Sequence, residues 1–404
     1  MSYKKIDFLV IGAGVVGLSV ALELRRRYPK SSIAVIEKEK RPGLHSSGRN
    51  SGVLHSGIYY PPDTIKAKVC RQGAIEMAAF CKNRKLPINR IGKILVPLSN
   101  EDRGQLNLLE ARAKANQVTV ERLDKSELRK LEPNTFSVTG EALFVPGTSV
   151  ADPFAVMTAL VEECKQSRIK MIYSVPKFKA YADQKMLSLA DGTKLQYGYL
   201  INSAGLHADT VAHQFGVGGR YTLLPFKGIY WKLSPTSNLR INHLIYPVPD
   251  LRVPFLGVHT TTNVTGDIYF GPTAVPAFGR ENYHALQDVN IRELGRITKL
   301  LLQQVITGQD GFRRLAWQEG LRYFKPFFAK AARQIVPKLK DKDLISCDKV
   351  GIRAQMFDSK EKKLVTDFLV ENGSSSTHIL NAISPAWTCA FPFARFVIDN
   401  FVEK

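Results

Sequence analysis

One stretch near the start of the chain limits its possible folds more than any other. Residues 6–18 read I-D-F-L-V-I-G-A-G-V-V-G-L, and residues 33–37 read I-A-V-I-E. The first is a short apolar strand that runs into Gly12, Gly14 and Gly17 and opens a helix over Leu18–Arg27. The second is a buried strand that ends on Glu37. Gly12 permits a tight turn, Gly14 lets backbone approach a pyrophosphate, and Gly17 lets the helix pack closely on the strand. Amide groups at the helix start, at Val15 and Val16, then face the phosphates. Glu37 stands where a ribose hydroxyl needs an acceptor. A lone G-x-G-x-x-G is weak evidence. Strand, turn, helix, strand and terminal acid together predict a dinucleotide-binding βαβ unit, against the alternative of a tight turn without ligand.

The residues that follow favour a flavin over a nicotinamide. Residues 38–50 read K-E-K-R-P-G-L-H-S-S-G-R-N, a polar loop where a nicotinamide-binding fold places its next strand. Such a loop can wrap a second phosphate and reach the flavin ring, so FAD is the expected cofactor. Lys38, His45, Ser46, Ser47, Asn50, Ser51 and Gly52 join the glycine loop as candidate contacts. His45 is also a place where flavin could be held covalently, which is the less favoured reading. Residues 199–209, Y-L-I-N-S-A-G-L-H-A-D, read as a buried strand and a small-residue turn, Ser203, Ala204 and Gly205, that passes the cofactor.

Composition sets outer limits. The chain has 404 residues and is 44% hydrophobic, enough for two or three domains with ample core. No run of apolar residues reaches transmembrane length, and a first strand at Ile6 leaves no room for a cleavable leader. The five cysteines show no C-x-x-C spacing, which fits free thiols in a reducing compartment and no metal site. The expected location is cytoplasmic, with a peripheral place on the inner face of a membrane also open. Lys and Arg outnumber Asp and Glu by 57 to 36, a formal net charge of +21. That field attracts anionic substrates, acidic lipid or nucleic acid. The bases are spread along the chain, so nucleic acid is not expected. Residues 322–340 interleave Tyr323, Phe324, Phe327 and Phe328 with Lys and Arg, a pattern suited to a lipid headgroup layer and equally to core packing.

The periodicities predict a mixed α/β chain. Helices are expected over 67–83, 101–116, 126–131 (with Ser126 as N-cap), 152–163, 291–307 and 388–401, and strands over 91–97, 169–174, 195–203 and 377–381. Residues 220–275, rich in β-branched and aromatic residues, read as an antiparallel sheet. The expected architecture is a Rossmann-type FAD-binding domain (1–85, 145–215 and 345–404) interleaved with an antiparallel-sheet substrate domain (86–144 and 216–344).

Three segments narrow the chemistry. Residues 47–62 read S-G-R-N-S-G-V-L-H-S-G-I-Y-Y-P-P, a glycine-spaced loop in which His55 is the one group that accepts a proton near neutral pH. Residues 242–259 read N-H-L-I-Y-P-V-P-D-L-R-V-P-F-L-G-V-H, and residues 351–355 read G-I-R-A-Q, where Arg353 could fork onto a carboxylate. Together these segments resemble the L-2-hydroxyglutarate oxidase/dehydrogenase family, within the D-amino-acid oxidase-like flavoproteins. The likeness runs from Asp7 to about Arg395. It implies FAD-dependent oxidation of L-2-hydroxyglutarate to 2-oxoglutarate, with electrons passing to quinone or oxygen. It also implies cofactor contacts from the last strand and helix, at Pro385 and Ala386. The basic charge departs from the family and leaves the acceptor and any membrane contact open.

Oxidation of a 2-hydroxy acid needs a base for the hydroxyl proton, and a positioned histidine contributes about 10²–10⁴-fold. His55 is the first candidate and His259 the second. A dicarboxylate needs cationic anchors, because an unpaired carboxylate is costly to desolvate. Arg353 and Lys227 come first, Arg252 and Arg280 stand in reserve, and Tyr59, Tyr60 and Tyr230 could wall the pocket. Core packing or a surface role is the alternative for each, and for Arg353 also pairing with an internal acid. Glycerol 3-phosphate or amino-acid oxidation on the same scaffold remains open, as does, from another class, an FAD-dependent tRNA-modifying protein.

Overall fold

The computed structural model describes residues 4–251, 255–284, 289–307 and 312–402. The chain divides into two compact units. One takes residues up to Asn50, Pro153–Pro225 and residues from Arg353 onward; the other takes Ser51–Asp152 and Phe226–Ile352.

The first unit is built on an eight-stranded sheet. Its path runs Phe178–Tyr181, Met186–Leu189, Lys194–Asn202, Lys4–Ile11, Ile33–Ile36 and Lys170–Ile172, with Ser376–Asn381 pairing onto Lys194–Asn202 and Leu369–Gly373 beyond it. The central pairs are parallel, Ile11 lying opposite both Asn202 and Ile36. Parallel strands buried on both faces need continuous apolar runs, which L-V-I and I-A-V-I supply. Leu9, Val10, Leu200 and Ile201 are fully buried. The helix Val15–Arg27 begins at Val15, earlier than its apolar pattern suggests, and packs against Pro153–Gln166 and Ala386–Phe401. The N-terminal βαβ unit is therefore closed by the last helix of the chain.

The second unit holds three smaller sheets. His259–Thr262, Ile268–Gly271, Phe226–Leu233 and Val275–Pro276 form an antiparallel path, joined by Leu344–Arg353. Leu244–Pro247, Lys93–Val96, Ala142–Val145 and Glu121–Leu123 form the second. Here the antiparallel expectation for 220–275 needs correction, since Leu244–Pro247 pairs parallel to Lys93–Val96. Val53–Leu54, Ser149–Ala151 and Ile88–Arg90 form the third. These ladders tie residues 51–85 to the second unit, so its division falls after Asn50 rather than at 85, and His55 rides on this unit. Alternation along Lys93–Val96 sends Ile94 and Val96 into one apolar cluster and Leu95 into another that contains Ile58, Tyr59, Leu244 and Tyr246. The helix Lys125–Leu131 is capped by Asp124, not Ser126. The Asp124 carboxylate accepts from the amides of Ser126 and Glu127, and Glu127 reaches back in a capping box.

A buried polar cluster ties the strands of the first unit together. Asn202 Nδ2 donates to His378 Nδ1 at 3.2 Å, so the other ring nitrogen, Nε2, carries the proton and donates to Ser376 Oγ at 3.0 Å. Burial pushes the His378 imidazole down from 6.5 to about 4. The unfolded chain therefore binds a proton near pH 6.5 that the folded chain refuses until about pH 4. Stability from this site is complete above pH 6.5 and is lost as pH falls toward 4, to the extent of about 3 kcal/mol. In urea titrations His378→Gln should flatten the stability–pH curve in that window. An unchanged slope would show that another group carries it.

Candidate active site

The candidate nucleotide-binding residues of the first unit come together as the βαβ pattern requires. Gly12 has φ +99°, a conformation that side chains rarely adopt, and a Cβ there would lie 2.6 Å from the Ser203 carbonyl oxygen. A Cβ on Gly17 would lie 2.0 Å from the Gly12 carbonyl oxygen. These positions leave room for hydrogen alone. Ser203 stands beside the loop because Lys194–Asn202 runs parallel to the first strand. Its amide donates to the Ile11 carbonyl at 2.9 Å, and its hydroxyl donates to the same oxygen at 2.8 Å. Ala204 is held by its amide on Asn202 Oδ1, and Gly205 has φ +54°.

Glu37 is buried and is bonded into the loop by both of its oxygens. Its Oε2 accepts from the Ala13 amide at 2.8 Å, and its Oε1 accepts from the Glu39 amide at 3.0 Å. An ionised carboxylate has about four lone-pair sites, so capacity for a ribose hydroxyl remains. Ser47 Oγ accepts from the Val15 amide at 2.9 Å, and its carbonyl accepts from Asn50 Nδ2. His45 Nε2 lies 3.0 Å from Glu39 Oε1, and Lys38 meets the same carboxylate. Hydrogen bonds from Lys38 and His45 hold the Glu39 carboxyl below the usual range.

The Val15–Arg27 helix starts at Gly14, with no side-chain cap on that residue and no acid in its first turn. Such a helix start favours an anion. Glycine cradle, helix start and terminal acid together fit the pyrophosphate and ribose of FAD. Pro385 is the N-cap of the closing helix and Ala386 its first residue. Ser51 and Gly52 fall within the second unit, as do the candidate catalytic groups.

Among those groups, His259 is buried and stacks on Tyr246, with ring centroids 3.8 Å apart and planes at 20°. Its Nδ1 donates to the Gly257 carbonyl at 2.8 Å, which assigns the lone pair of the neutral ring to Nε2. His55 follows the strand Val53–Leu54, and its carbonyl accepts from Cys70 Sγ. The loop after it is pinned by the helix Asp102–Ala115 and its C-cap. Arg112 donates to the Tyr59 carbonyl, and Asn116 donates to those of Gly57 and Tyr60. Lys66 lies over the Tyr60 ring.

Lys227 is buried, donates to Asn282 Oδ1 at 3.1 Å and forms no ion pair among the described residues. Burial pushes its amine below the ordinary lysine range. Arg280 is instead paired with Glu293 at 3.2 Å, the ordinary reading for a buried arginine. Arg353 ends the strand Leu344–Arg353 and belongs to the first unit. Arg252 lies outside the described residues.

Three residues of this region escape the sequence reading. Asn282 carries no motif, and Tyr246 lies within the 242–259 run without a role of its own there. Lys93 does carry one signal, a lysine inside the apolar run K-I-L-V. It is fully buried, with Nζ 4.5 Å from the Tyr59 ring centroid and 5.4 Å from that of Tyr246.

Gly17→Ala should yield protein whose flavin-to-protein absorbance ratio is at least about tenfold lower, because the added methyl parts helix from loop. Normal yellow colour in that variant would mean the loop tolerates a side chain and the cradle is misread.

The model of the FAD dependent oxidoreductase family matches residues 7–399. The L-2-hydroxyglutarate dehydrogenase of Escherichia coli (strain K12) is 34% identical, over 98% of this chain and 92% of that protein. The protein of that name from Indibacter alkaliphilus is 33% identical, over 98% of both, and the mitochondrial one of Bos taurus 30%, over 100% of this chain and 90% of its own. In fold, the chain is similar to FAD-bound L-alpha-glycerophosphate oxidase from Mycoplasma pneumoniae. The TM-score is 0.76 with 22% identity, over 99% of this chain and 97% of that one. It is also similar to glycine oxidase from Geobacillus kaustophilus, with TM-score 0.70 and 15% identity, over 99% and 96% of the two chains. The glycine cradle and terminal acid thus sit in a chain that matches these relatives nearly end to end, and it belongs to the L-2-hydroxyglutarate dehydrogenase family of FAD-dependent oxidoreductases.

Proposed function

We infer that this protein oxidises L-2-hydroxyglutarate to 2-oxoglutarate, using FAD. The observation that carries the inference is identity of 30–34% over nearly the whole chain with proteins of that name. Gly12, Gly14, Gly17, Glu37 and Ser203 hold the nucleotide. When bound, FAD supplies a two-electron acceptor for the hydrogen leaving C2. His55 accepts the proton of the C2 hydroxyl, and His259 is the alternative base, with its Nε2 lone pair already assigned by the Gly257 carbonyl. The Lys227 ammonium takes one carboxylate, a role supported by its burial without an acidic partner. Arg353 and Tyr60 are further candidate contacts.

The electrons leave to quinone or to oxygen. A surface of the second unit favours a membrane quinone. Leu302, Ile306, Trp317, Tyr323, Phe324 and Phe327 are exposed there, on or next to the helices Ile291–Thr307, Phe312–Leu321 and Lys325–Ile335. Arg313 joins the first two helices by donating to the carbonyls of Val305 and Ile306. Lys299, Arg313 and Lys330 are exposed among the apolar groups. Exposed aromatic and aliphatic side chains on helices that also expose cations suit an anionic lipid surface. Phe328, by contrast, is fully buried in the core. No described helix is long and apolar enough to cross a membrane.

Mixed anaerobically with L-2-hydroxyglutarate, the protein should lose its oxidised-flavin absorption band, and the D enantiomer should leave it intact. His55→Ala should slow that bleaching by about 10²–10⁴-fold while keeping its flavin. A wild-type protein that stays yellow would sink the substrate, and a fast His55→Ala would sink the base. For the surface, the protein should sediment with phosphatidylglycerol vesicles and not with phosphatidylcholine ones, and Trp317→Ser with Phe324→Ser should weaken that binding about tenfold. Equal sedimentation of wild type and double variant would remove the patch from the account.

A further inference from the structure

Lys93 is fully buried on the strand Lys93–Val96, among apolar side chains. Its strand alternates so that Lys93 shares a face with Leu95, which packs among Ile58, Tyr59, Leu244 and Tyr246. Nζ has no hydrogen-bond acceptor and no carboxylate partner among the described residues. The groups beside it are the ring faces of Tyr59 and Tyr246, with the Cys70 thiol adding an electrostatic influence. Two neutral rings offset only part of the cost of a desolvated ammonium. A methionine of similar volume would fill this space more cheaply. A buried amine with neither a hydrogen-bond acceptor nor an acidic partner among the described residues is a candidate functional position.

Its neighbours indicate which one. Tyr246, under the Lys93 ammonium, stacks on His259. On the other side, Tyr59 belongs to the loop that begins at His55, and Cys70 donates to the His55 carbonyl. Both candidate bases are thus one group removed from Lys93. The distances to and across the Tyr246 ring place Nζ within about 9 Å of the His259 ring centre. In a five-carbon diacid the distal carboxylate lies roughly 5 Å from C2, and a hydrogen bond of about 2.8 Å at each end spans that gap. Tyr59 Oη is likewise buried without a partner. Lys227 is a second buried lysine of this unit with no ion pair among the described residues.

We propose that Lys93 is the second cationic anchor for the dicarboxylate, Lys227 taking one carboxylate and Lys93 the other. The inference rests on the L-2-hydroxyglutarate reading and deepens it: two unmatched ammonium groups in one unit meet two carboxylates. Preference for a diacid over a monoacid then follows from charge balance. Burial also pushes the Lys93 amine from 10.5 down to about 7. The folded chain gives up this proton before the unfolded chain does. The destabilisation is therefore full below pH 7 and is relieved as pH rises toward 10.5.

The test is Lys93→Met, isolated with its flavin, against wild type. Three quantities are read: kcat/KM for L-2-hydroxyglutarate, inhibition by glutarate and by butyrate, and Tm at pH 6 and pH 9. The variant should lose about 10- to 100-fold in kcat/KM, the range for a hydrogen bond to a charged group. It should weaken glutarate inhibition by a similar factor and leave butyrate within about twofold, since butyrate needs one cation only. Its Tm should rise, more at pH 6 than at pH 9. Unchanged glutarate inhibition, or equal losses for both acids with a lowered Tm, would overturn the assignment of Lys93. If wild-type flavin is not bleached by L-2-hydroxyglutarate, the substrate reading itself fails, and that outcome is separate from either result on Lys93.

Discussion

The Gly17 backbone rests against the Gly12 carbonyl, and the nucleotide unit is arranged around that contact. Because the first strand runs parallel to Lys194–Asn202, the turn after one strand lies against the turn after the other, and Ser203 closes on Gly12. A side chain at either glycine would push the helix start away from both turns. With the helix seated, its far face packs on Ala386–Phe401. That closing helix is tied down in turn, since Tyr199 Oη and Thr377 Oγ1 both donate to the Phe401 carbonyl. The unit is thus made of the two ends of the chain and one middle segment. A truncation at either end would strip the cradle of its support before touching any ligand contact.

The same local constraints explain what could be read from residue order. Gly12, Gly17 and Glu37 are dictated by backbone crowding and by one hydrogen-bonded acid, which act within thirty residues and leave a spacing behind. The strand at 195–203 and the closing helix were legible because buried parallel strands and amphipathic helices repeat at fixed periods. Lys125–Leu131 was legible as a helix but not in its cap, since both Asp124 and Ser126 are good N-caps and only the backbone angle at Asp124 decides. The parallel pairing of Leu244–Pro247 was not legible, because pairing partners far apart in sequence leave no periodic trace. Nor was the place of residues 51–85, which depends on a two-residue strand, Val53–Leu54, finding Ser149–Ala151. His55 therefore moves with the second unit despite its nearness in sequence to the glycine loop.

The candidate site was less legible than the fold for a related reason. A ligand contact of the nucleotide loop is made mostly by backbone, and backbone demands show up as glycine. A substrate contact is made by side chains brought together from separate segments. Lys93, Tyr246 and His259 meet only because two strands lie side by side and a third packs its histidine on the tyrosine face. The lysine in K-I-L-V was the one available signal, because a central strand that buries all four residues has no ordinary use for an amine.

The treatment of buried charge separates structural polarity from functional polarity in this molecule. The named buried acids are matched by the protein itself. Glu23 meets Arg26 and Arg27, Asp209 accepts from the Leu223 amide, Asp358 meets Arg220, and Glu132 accepts from the amides of Asn242 and His243. Such groups hold strands and helices in register through partners the protein supplies, although Glu132 Oε1 is buried without a hydrogen bond among the described residues. Lys93 and Lys227 are not matched in this way, and both lie in the second unit. Protein interiors tolerate an unmatched charge poorly, and either loss of the proton or a bound anion relieves the cost. Under the proposed anchoring, a dianionic ligand supplies that relief. Its own desolvation is offset by the same two ammonium groups, so each partner removes the other's penalty. Selectivity then comes from the empty site as much as from the filled one, since a monoacid leaves one lysine as costly as before.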